Sequence, residues 1–363
     1  MSLPLLLREP GRITRLTLEE WDDVIPQARS SGILSRLATL AQADKDYWEL
    51  PEPPRRHMEA DQLLAAKHRR DVLYELDRIY EVVGGVLGTI VLLKGAAYLA
   101  ADLPASEGRT FNDIDILVPE DRLGAVESLL QLAGWRTGEI HPYDDTFYRR
   151  WMHQIPPLTH GGRRTTIDVH HSLVPRTARV GAVTAAHLMG RIRRLPDRPG
   201  FAVLAPEDMV LHSATHLFNE GEFGRGLRDL TDLDLLLSHF GNAGFWGFWP
   251  RLVHRAEGVG LTRPLFYALR YCARLLGTAV PIEVEESVSR FRPPWPILRA
   301  MDFAFARALA PDHKSCRDGW TEPALFALYV RSHYLRMPLH LLVPHLVRKA
   351  TRREAYHSAE ASA

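Results

Sequence analysis

Three aspartates lie on stretches that alternate between polar and apolar residues, the pattern of half-buried strands. Asp113 and Asp115 belong to Asp-Ile-Asp-Ile-Leu-Val at 113–118, and Asp168 belongs to Thr-Thr-Ile-Asp-Val-His at 165–170. Two residues at this spacing on one strand share a face of the sheet, with Cα atoms roughly 6.5–7 Å apart. Carboxylates placed in this way either converge on a divalent cation or form the solvated face of an ordinary strand.

A second feature lies just upstream of the acidic pair. The apolar run Thr-Ile-Val-Leu-Leu at 89–93 predicts a strand buried on both faces, and it is followed by Lys94, Gly95 and a predicted helix at 96–101. A glycine between a strand and a helix lets backbone N–H groups approach a phosphate, and a helix N-terminus favours an anion. The segment is therefore a candidate phosphate-binding turn.

Together these stretches resemble the polymerase-β-like nucleotidyltransferase superfamily. They are most similar to an uncharacterised bacterial family marked by Leu-Lys-Gly, an arginine and Asp-Ile-Asp-Ile-Leu-Val, here at 93–95, 109 and 113–118, with Ile-Asp-Val-His at 167–170. The resemblance is strongest over residues 88–171. Most of the superfamily has Gly-Ser after the first strand, and the serine hydroxyl holds a triphosphate. This chain departs from that pattern because Gly95 is followed by Ala96.

The resemblance implies a metal-dependent enzyme that moves a nucleoside monophosphate from an NTP to an acceptor and releases pyrophosphate. The catalytic and metal-binding positions that it implies are Asp113, Asp115 and Asp168. Mg²⁺ is the expected ion, with Mn²⁺ as an alternative. The positions expected to bind the triphosphate are Lys94, Gly95 and Arg109. The acceptor is a hydroxyl, amine or phosphate on a small molecule, a protein or tRNA.

Several alternatives stay open. Arg109 either contacts the triphosphate or forms an ion pair with Asp113 or Asp115. The whole chain is alternatively a non-catalytic nucleotide-binding or scaffolding protein on the same fold. A phosphohydrolase is a third interpretation, but such enzymes usually carry a nucleophilic aspartate where the first strand ends, and Lys94 stands there instead.

Composition excludes several other classes. The 363-residue chain has a formal net charge of +1 and two cysteines. A large nucleic-acid footprint usually needs a strongly basic balance, and Cys272 and Cys316 are too few for a disulfide framework and too far apart for a CxxC metal site. No apolar run reaches the roughly 18 residues of a membrane span. The sequence therefore predicts a cytoplasmic protein without membrane contact.

The predicted fold is α/β (α+β), with a small mixed nucleotidyltransferase sheet flanked by helical regions. The predicted divisions are an N-terminal helical region (1–87), the catalytic domain (88–200), a C-terminal helical domain (201–355) and a polar tail (356–363). Thr17 and Glu20 form a predicted capping box at the start of a helix, and Pro26 is expected to break or restart that helix.

Polar residues in the helical part have two interpretations each. His212 and His216 have metal-ligand spacing but lack the H-E-x-x-H signature, which favours core or surface histidines. Arg228 and Asp232 share a helical face, either as an intrahelical ion pair or as part of an acceptor cleft. His170 shares the face of Asp168, and a local hydrogen bond is favoured over a role in the site.

Overall fold

The computed structural model describes residues 2–178, 183–242 and 245–338, together with Leu342. It confirms the predicted α/β (α+β) class, because a mixed sheet is surrounded by helices. The strands are β1 (Ile90–Leu93), β2 (Asp113–Leu117), β3 (Trp135–Thr137), β4 (Leu158–His160), β5 (Thr166–His170), β6 (Arg193–Arg194) and β7 (Phe201–Val203). Their order across the sheet is β3-β4-β5-β2-β1-β7-β6.

The three central strands carry the segments singled out in the sequence. β2 pairs in parallel with β5 and antiparallel with β1, and β1 pairs in parallel with β7. All four residues of β1 are buried, as expected for an apolar run in the middle of a sheet. In β2, by contrast, burial begins only after Asp113. The acidic residues therefore start at the end of β2 that opens to solvent.

Helices precede, interrupt and follow the sheet. Those in the N-terminal half are α1 (Leu3–Arg8), α2 (Leu18–Ser30), α3 (Leu34–Gln42), α4 (Glu52–Leu87), α5 (Lys94–Ala100), α6 (Leu123–Leu132) and α7 (Pro142–Trp151). Those that follow β5 are α8 (Ala185–Met189), α9 (Pro206–Asn219), α10 (Gly226–Gly241), α11 (Phe248–Gly258), α12 (Thr262–Tyr271), α13 (Ile282–Ser289), α14 (Trp295–Ala308) and α15 (Thr321–Arg336). No helix in the described ranges is both long enough and apolar enough to cross a membrane.

One large apolar core joins the sheet to the end of α4 and to most helices after residue 205, and a smaller core packs the N-terminal helices against Leu227 of α10. β7 pairs with β1, so the sheet extends to Val203, just beyond the predicted end of the catalytic domain. The domain boundaries themselves stay a prediction. The polar tail at 356–363 lies outside the described residues.

The start of α2 follows the predicted capping box, but its course through Pro26 does not follow the prediction. Thr17 accepts a hydrogen bond from the Glu20 backbone, and the Glu20 side chain accepts one from the Thr17 backbone. The helix continues through Pro26 to Ser30. Trp21 and Ala28 are buried on either side of Pro26, and this tertiary packing offsets the backbone hydrogen bond that proline cannot make.

A buried ion pair network ties three regions together. Asp232 of α10 contacts Arg36 of α3 through Oδ1 at 2.9 Å and Arg109, in the loop before β2, through Oδ2 at 2.9 Å. Arg36 also donates to the carbonyl of Ala105 at 2.8 Å. Each of the three side chains is less than a tenth exposed. Asp232 therefore joins the N-terminal helices, the loop that leads into the acidic strand and the C-terminal helices.

Replacing Asp232 is expected to destabilise the protein strongly. Asp232→Asn leaves the guanidinium groups of Arg36 and Arg109 buried without a counter-charge, and breaking a buried pair in this way costs about 3–5 kcal/mol. Asp71→Asn is the matched control, because Asp71 forms an exposed pair with Lys67 and its loss should cost less than about 1 kcal/mol. Denaturant unfolding measures both values, and similar small losses would contradict the structural role of Asp232.

Candidate active site

Asp115 and Asp168 lie side by side on the two parallel central strands. They are register partners in the pairing of β2 with β5, while Asp113 is opposite Thr166. Neighbouring strands are about 4.8 Å apart, so the two carboxylates share one face at closest approach. Asp115 is buried, Asp168 is partly buried and Asp113 is exposed. The structure thus brings the predicted aspartates to one face of the sheet, where they differ in solvent exposure.

One group of potential metal ligands emerges among the described residues, and its membership differs from the predicted triad. Ligand atoms of Asp115, Asp168 and His170 all lie within 4.8 Å of one another. Asp113 is not a member, because it lies two residues earlier on β2, at the solvent end of the strand. The role of Asp113 as a third metal ligand therefore stays a prediction.

Two donors meet on one oxygen of Asp115. Lys94 Nζ lies 3.1 Å from Oδ1, and His170 Nε2 lies 2.8 Å from the same atom. Burial alone would raise the pKa of Asp115, but the charge of Lys94 and the hydrogen bond from His170 outweigh it and hold this pKa well below its usual value. Asp115 is therefore ionised at neutral pH, and only one of its oxygens is used by these two contacts.

Asp168 has the opposite electrostatic environment. Burial, followed by the negative charges of Asp115 and Asp113, raises the pKa of Asp168 to about 7. Its Oδ1 atom is buried and has no hydrogen-bond partner in the described part of the chain. Although the Asp113 side chain reaches solvent, partial desolvation by the surrounding chain and the charge of Asp115 also raise its pKa. The face thus carries more negative charge than Lys94 neutralises.

This donor set fits a divalent cation. Carboxylate oxygens are the ligands that Mg²⁺ and Mn²⁺ prefer, and a cation would relieve the repulsion between the three aspartates. The unpartnered Oδ1 of Asp168 is a buried acceptor without a donor, as expected for a ligand atom. Because His170 Nε2 is engaged with Asp115, its direct role in the described geometry is to orient that carboxylate.

Lys94 and Gly95 lie in the turn between β1 and α5, but the geometry differs from the predicted one. The helix begins at Lys94 rather than after Gly95, and Lys94 itself has a positive φ of 44°. A Cβ atom added to Gly95 would come within 2.8 Å of Arg109 Cζ and closer still to Nη1. Gly95 therefore allows the Arg109 guanidinium to pack against the backbone of the turn.

Arg109 pairs with neither Asp113 nor Asp115. Its Nε atom donates to Asp232 at 2.9 Å, so the alternative of an ion pair with the acidic strand is wrong. The acidic strand and Asp232 are more than a hundred residues apart, and no local spacing connects them. The predicted intrahelical pair of Arg228 with Asp232 is also replaced, because Arg228 contacts Asp229 at 2.8 Å. The contact of Arg109 with a triphosphate stays a prediction.

Several histidines cluster next to Asp115, and the sequence did not predict that they lie together. The His170 ring lies 5.2 Å from that of His153 and 6.1 Å from that of His212, centroid to centroid. Glu220 contacts His153 Nε2 at 3.5 Å and His216 Nε2 at 3.1 Å. Burial, aided by the positive charge of Lys94, lowers the pKa of His153, His170, His212 and His216 and so favours their neutral forms.

Of the two histidines of α9, His212 is buried and His216 is partly buried, and neither joins the group of potential ligands found among the described residues. Their one-turn spacing was visible in the sequence. His153 lies after α7 in irregular chain, so no periodic signal marked it. Burial raises the pKa of Glu220 to about 7, against the lowering effect of Lys94.

Comparison with known proteins gives one match. A family model described as an uncharacterised nucleotidyltransferase covers residues 17–277, which is well over half of the chain. The matched segment contains the central strands, the turn at Lys94 and the helices through α12. No curated protein and no solved structure matches the chain.

Gly95→Ala is expected to lower the free energy of unfolding by about 1–3 kcal/mol, the usual cost of overpacking. The new methyl group must displace Arg109, which Asp232 holds in place. Gly85→Ala is the matched control, because Gly85 lies within α4 with no atom near its added Cβ, so alanine should stabilise slightly there. Equal behaviour of the two variants in thermal unfolding would contradict the close approach of Arg109.

The raised pKa of Asp168 predicts a pH-dependent stability without divalent ions. Between its unfolded pKa near 4 and its folded pKa of about 7, the folded protein binds a proton that the unfolded chain lacks, so stability falls as pH rises through this window. Asp168→Asn cannot titrate at this position, so it should not lose stability in this way. The loss of free energy of unfolding that it avoids is on the order of 1–3 kcal/mol. Unfolding in EDTA at pH 5 and pH 8 measures it, and a gap between variant and wild type that does not widen at pH 8 would refute it.

Proposed function

The chain belongs to this uncharacterised nucleotidyltransferase family, and we propose that it transfers a nucleoside monophosphate from an NTP to an acceptor with release of pyrophosphate. The observation that carries the proposal is the pairing of Asp115 with Asp168 across parallel strands, beside a lysine at the end of β1. Family membership supplies the reaction class. The residues, ion and substrates below are part of the proposal.

Asp113, Asp115 and Asp168 are the proposed ligands of a divalent ion, Mg²⁺ or alternatively Mn²⁺. When bound, the ion supplies positive charge that neutralises the phosphates and the oxygens that gain charge during transfer. Lys94 and His170 hold one oxygen of Asp115 and leave the other available. The site therefore presents an ionised, oriented carboxylate before any substrate binds.

We propose different tasks for the two paired aspartates, and the opposite directions of their pKa shifts support this division. Asp115 stays ionised and serves only as a ligand, while Asp168, whose pKa is about 7 in the protein without metal, both completes the ion site and accepts a proton. As Asp168 takes the proton of the acceptor group, the acceptor atom bonds to the α-phosphorus. The bond from that phosphorus to the bridging oxygen then breaks, and pyrophosphate leaves.

Lys94, Gly95 and Arg109 are the proposed contacts of the departing pyrophosphate. An ammonium group has three N–H donors, so the contact with Asp115 leaves Lys94 with two for phosphate oxygens. Ala96 is buried and has no hydroxyl, which removes one contact of the wider superfamily. This absence favours, as a second candidate, a nucleotide-binding protein without turnover. The acceptor is a small molecule, a protein or tRNA.

Asp115→Asn is expected to abolish metal-dependent transfer while the protein stays folded, because one ligand charge is lost and the shape is kept. The measurement follows α-³²P label from each of the four NTPs into acceptors, with Mg²⁺, Mn²⁺ or EDTA, alongside melting curves. Asp121→Asn is the control, because Asp121 is an exposed carboxylate in the loop that follows β2, and it should leave transfer unchanged.

Asn variants of Asp113 and Asp168 extend the test to the full acidic set. Nucleotide binding without turnover in the wild type would favour the non-catalytic candidate. Turnover that persists in all three aspartate variants would refute the proposed site.

A further inference from the structure

Four arginines and two aspartates form a charged cluster at the start of α10, and one of the arginines, Arg225, contacts the residue before β2. Asp232 is shared by Arg36 and Arg109, and Asp229 accepts from Arg228 at 2.9 Å and 2.8 Å. These contacts use both aspartates. The fourth cation, Arg225, immediately precedes α10. The side of the site that faces α10 is therefore positively charged, while the face of the sheet is negatively charged.

Arg225 differs from the other three arginines because it forms no ion pair within the described part of the chain. Its Nη1 donates to Asn112 Oδ1 at 3.0 Å, and Asn112 is the residue directly before Asp113. In the described ranges no carboxylate lies within ion-pair distance of Arg225. Partial burial and the positive charges of Arg228 and Arg109 lower its pKa, although Asp229 and Asp113 act in the opposite direction.

Such an arginine suits a phosphate. A guanidinium has five N–H donors in a planar fork that matches phosphate oxygens, and the bond to Asn112 uses only one of them. The Asn112 bond also fixes the group next to the first aspartate of the acidic strand. A ligand that carries both a divalent ion and a chain of phosphates would meet carboxylates on the sheet side and arginines on the α10 side.

We propose that Arg225, supported by Arg228, binds the β- and γ-phosphates of the nucleotide at the open edge of the acidic site. This inference rests on the proposed function. It assigns to the start of α10 the phosphate contact that Ala96 does not provide. The nucleotide is then held between the turn after β1 and the helical region that follows the sheet.

The test uses tripolyphosphate and ATP as separate probes, each titrated in the calorimeter with Mg²⁺ present. In Arg225→Gln the dissociation constants of both probes should rise about 10- to 100-fold, the effect of losing a charge-assisted contact. Arg225→Lys keeps the charge but loses the fork, so its constants should lie between those of wild type and Arg225→Gln. Mn²⁺ binding to the free protein should stay unchanged in both variants.

Arg299→Gln is the matched control, because Arg299 is an exposed arginine on α14 and its side chain lies over Trp295. It removes the same charge and should leave both constants unchanged. An equal loss in Arg299→Gln would mean that only net charge matters, and it would overturn the inference. Unchanged binding in Arg225→Gln, or no tripolyphosphate binding by the wild type, would overturn it as well.

The two proposals fail in different ways. Tripolyphosphate binding that depends on Arg225, in a protein that transfers no nucleotide, would support the phosphate site and refute the proposed function. Nucleotide transfer with full activity in Arg225→Gln would refute the phosphate site and leave the proposed function in place. Should Arg225→Gln melt far below the wild type, the dissociation constants of Arg225→Lys and of the wild type are compared instead.

Discussion

The contact of Lys94 and His170 with a single oxygen of Asp115 is the interaction on which the site depends. A buried carboxylate is costly unless charge and hydrogen bonds compensate it, and here both come from neighbouring strands. Lys94 follows β1, Asp115 lies within β2 and His170 ends β5. The same interaction that keeps Asp115 ionised therefore also joins the three central strands at the site.

Lys94 compensates the charge of only one aspartate, and this determines the pKa values of the others. Lys94 contacts Asp115, so Asp168 remains a partly buried carboxylate beside a negative neighbour, and its pKa rises to about 7. Two aspartates that are direct register partners on neighbouring strands thereby acquire opposite electrostatic properties. This separation is the usual basis for dividing a ligand role from a proton-transfer role within one site.

The helical region after the sheet contacts the residues of the candidate site. α10 supplies Asp232, which holds Arg109 against Gly95, and the segment between α9 and α10 supplies Glu220 and Arg225. α15 in turn holds that segment, since Arg336 donates to the Glu220 carbonyl at 2.5 Å. The family match covers α10 and the segment before it, and α15, beyond the matched residues, contacts the same segment.

Local patterns in the sequence determined much of the central sheet and the identity of its acidic residues. Alternation predicted β2 and β5, the apolar run predicted β1, and the bounds agree to within a residue. Those patterns depend on side-chain periodicity, which each strand expresses by itself. The tertiary structure alone decided that Asp115, and not Asp113, pairs with Asp168, because strand register is a relation between distant segments. It also decided that Arg109 meets Asp232, 123 residues away, and that His153 joins His170, since burial and ion pairing depend on packing that no local spacing records.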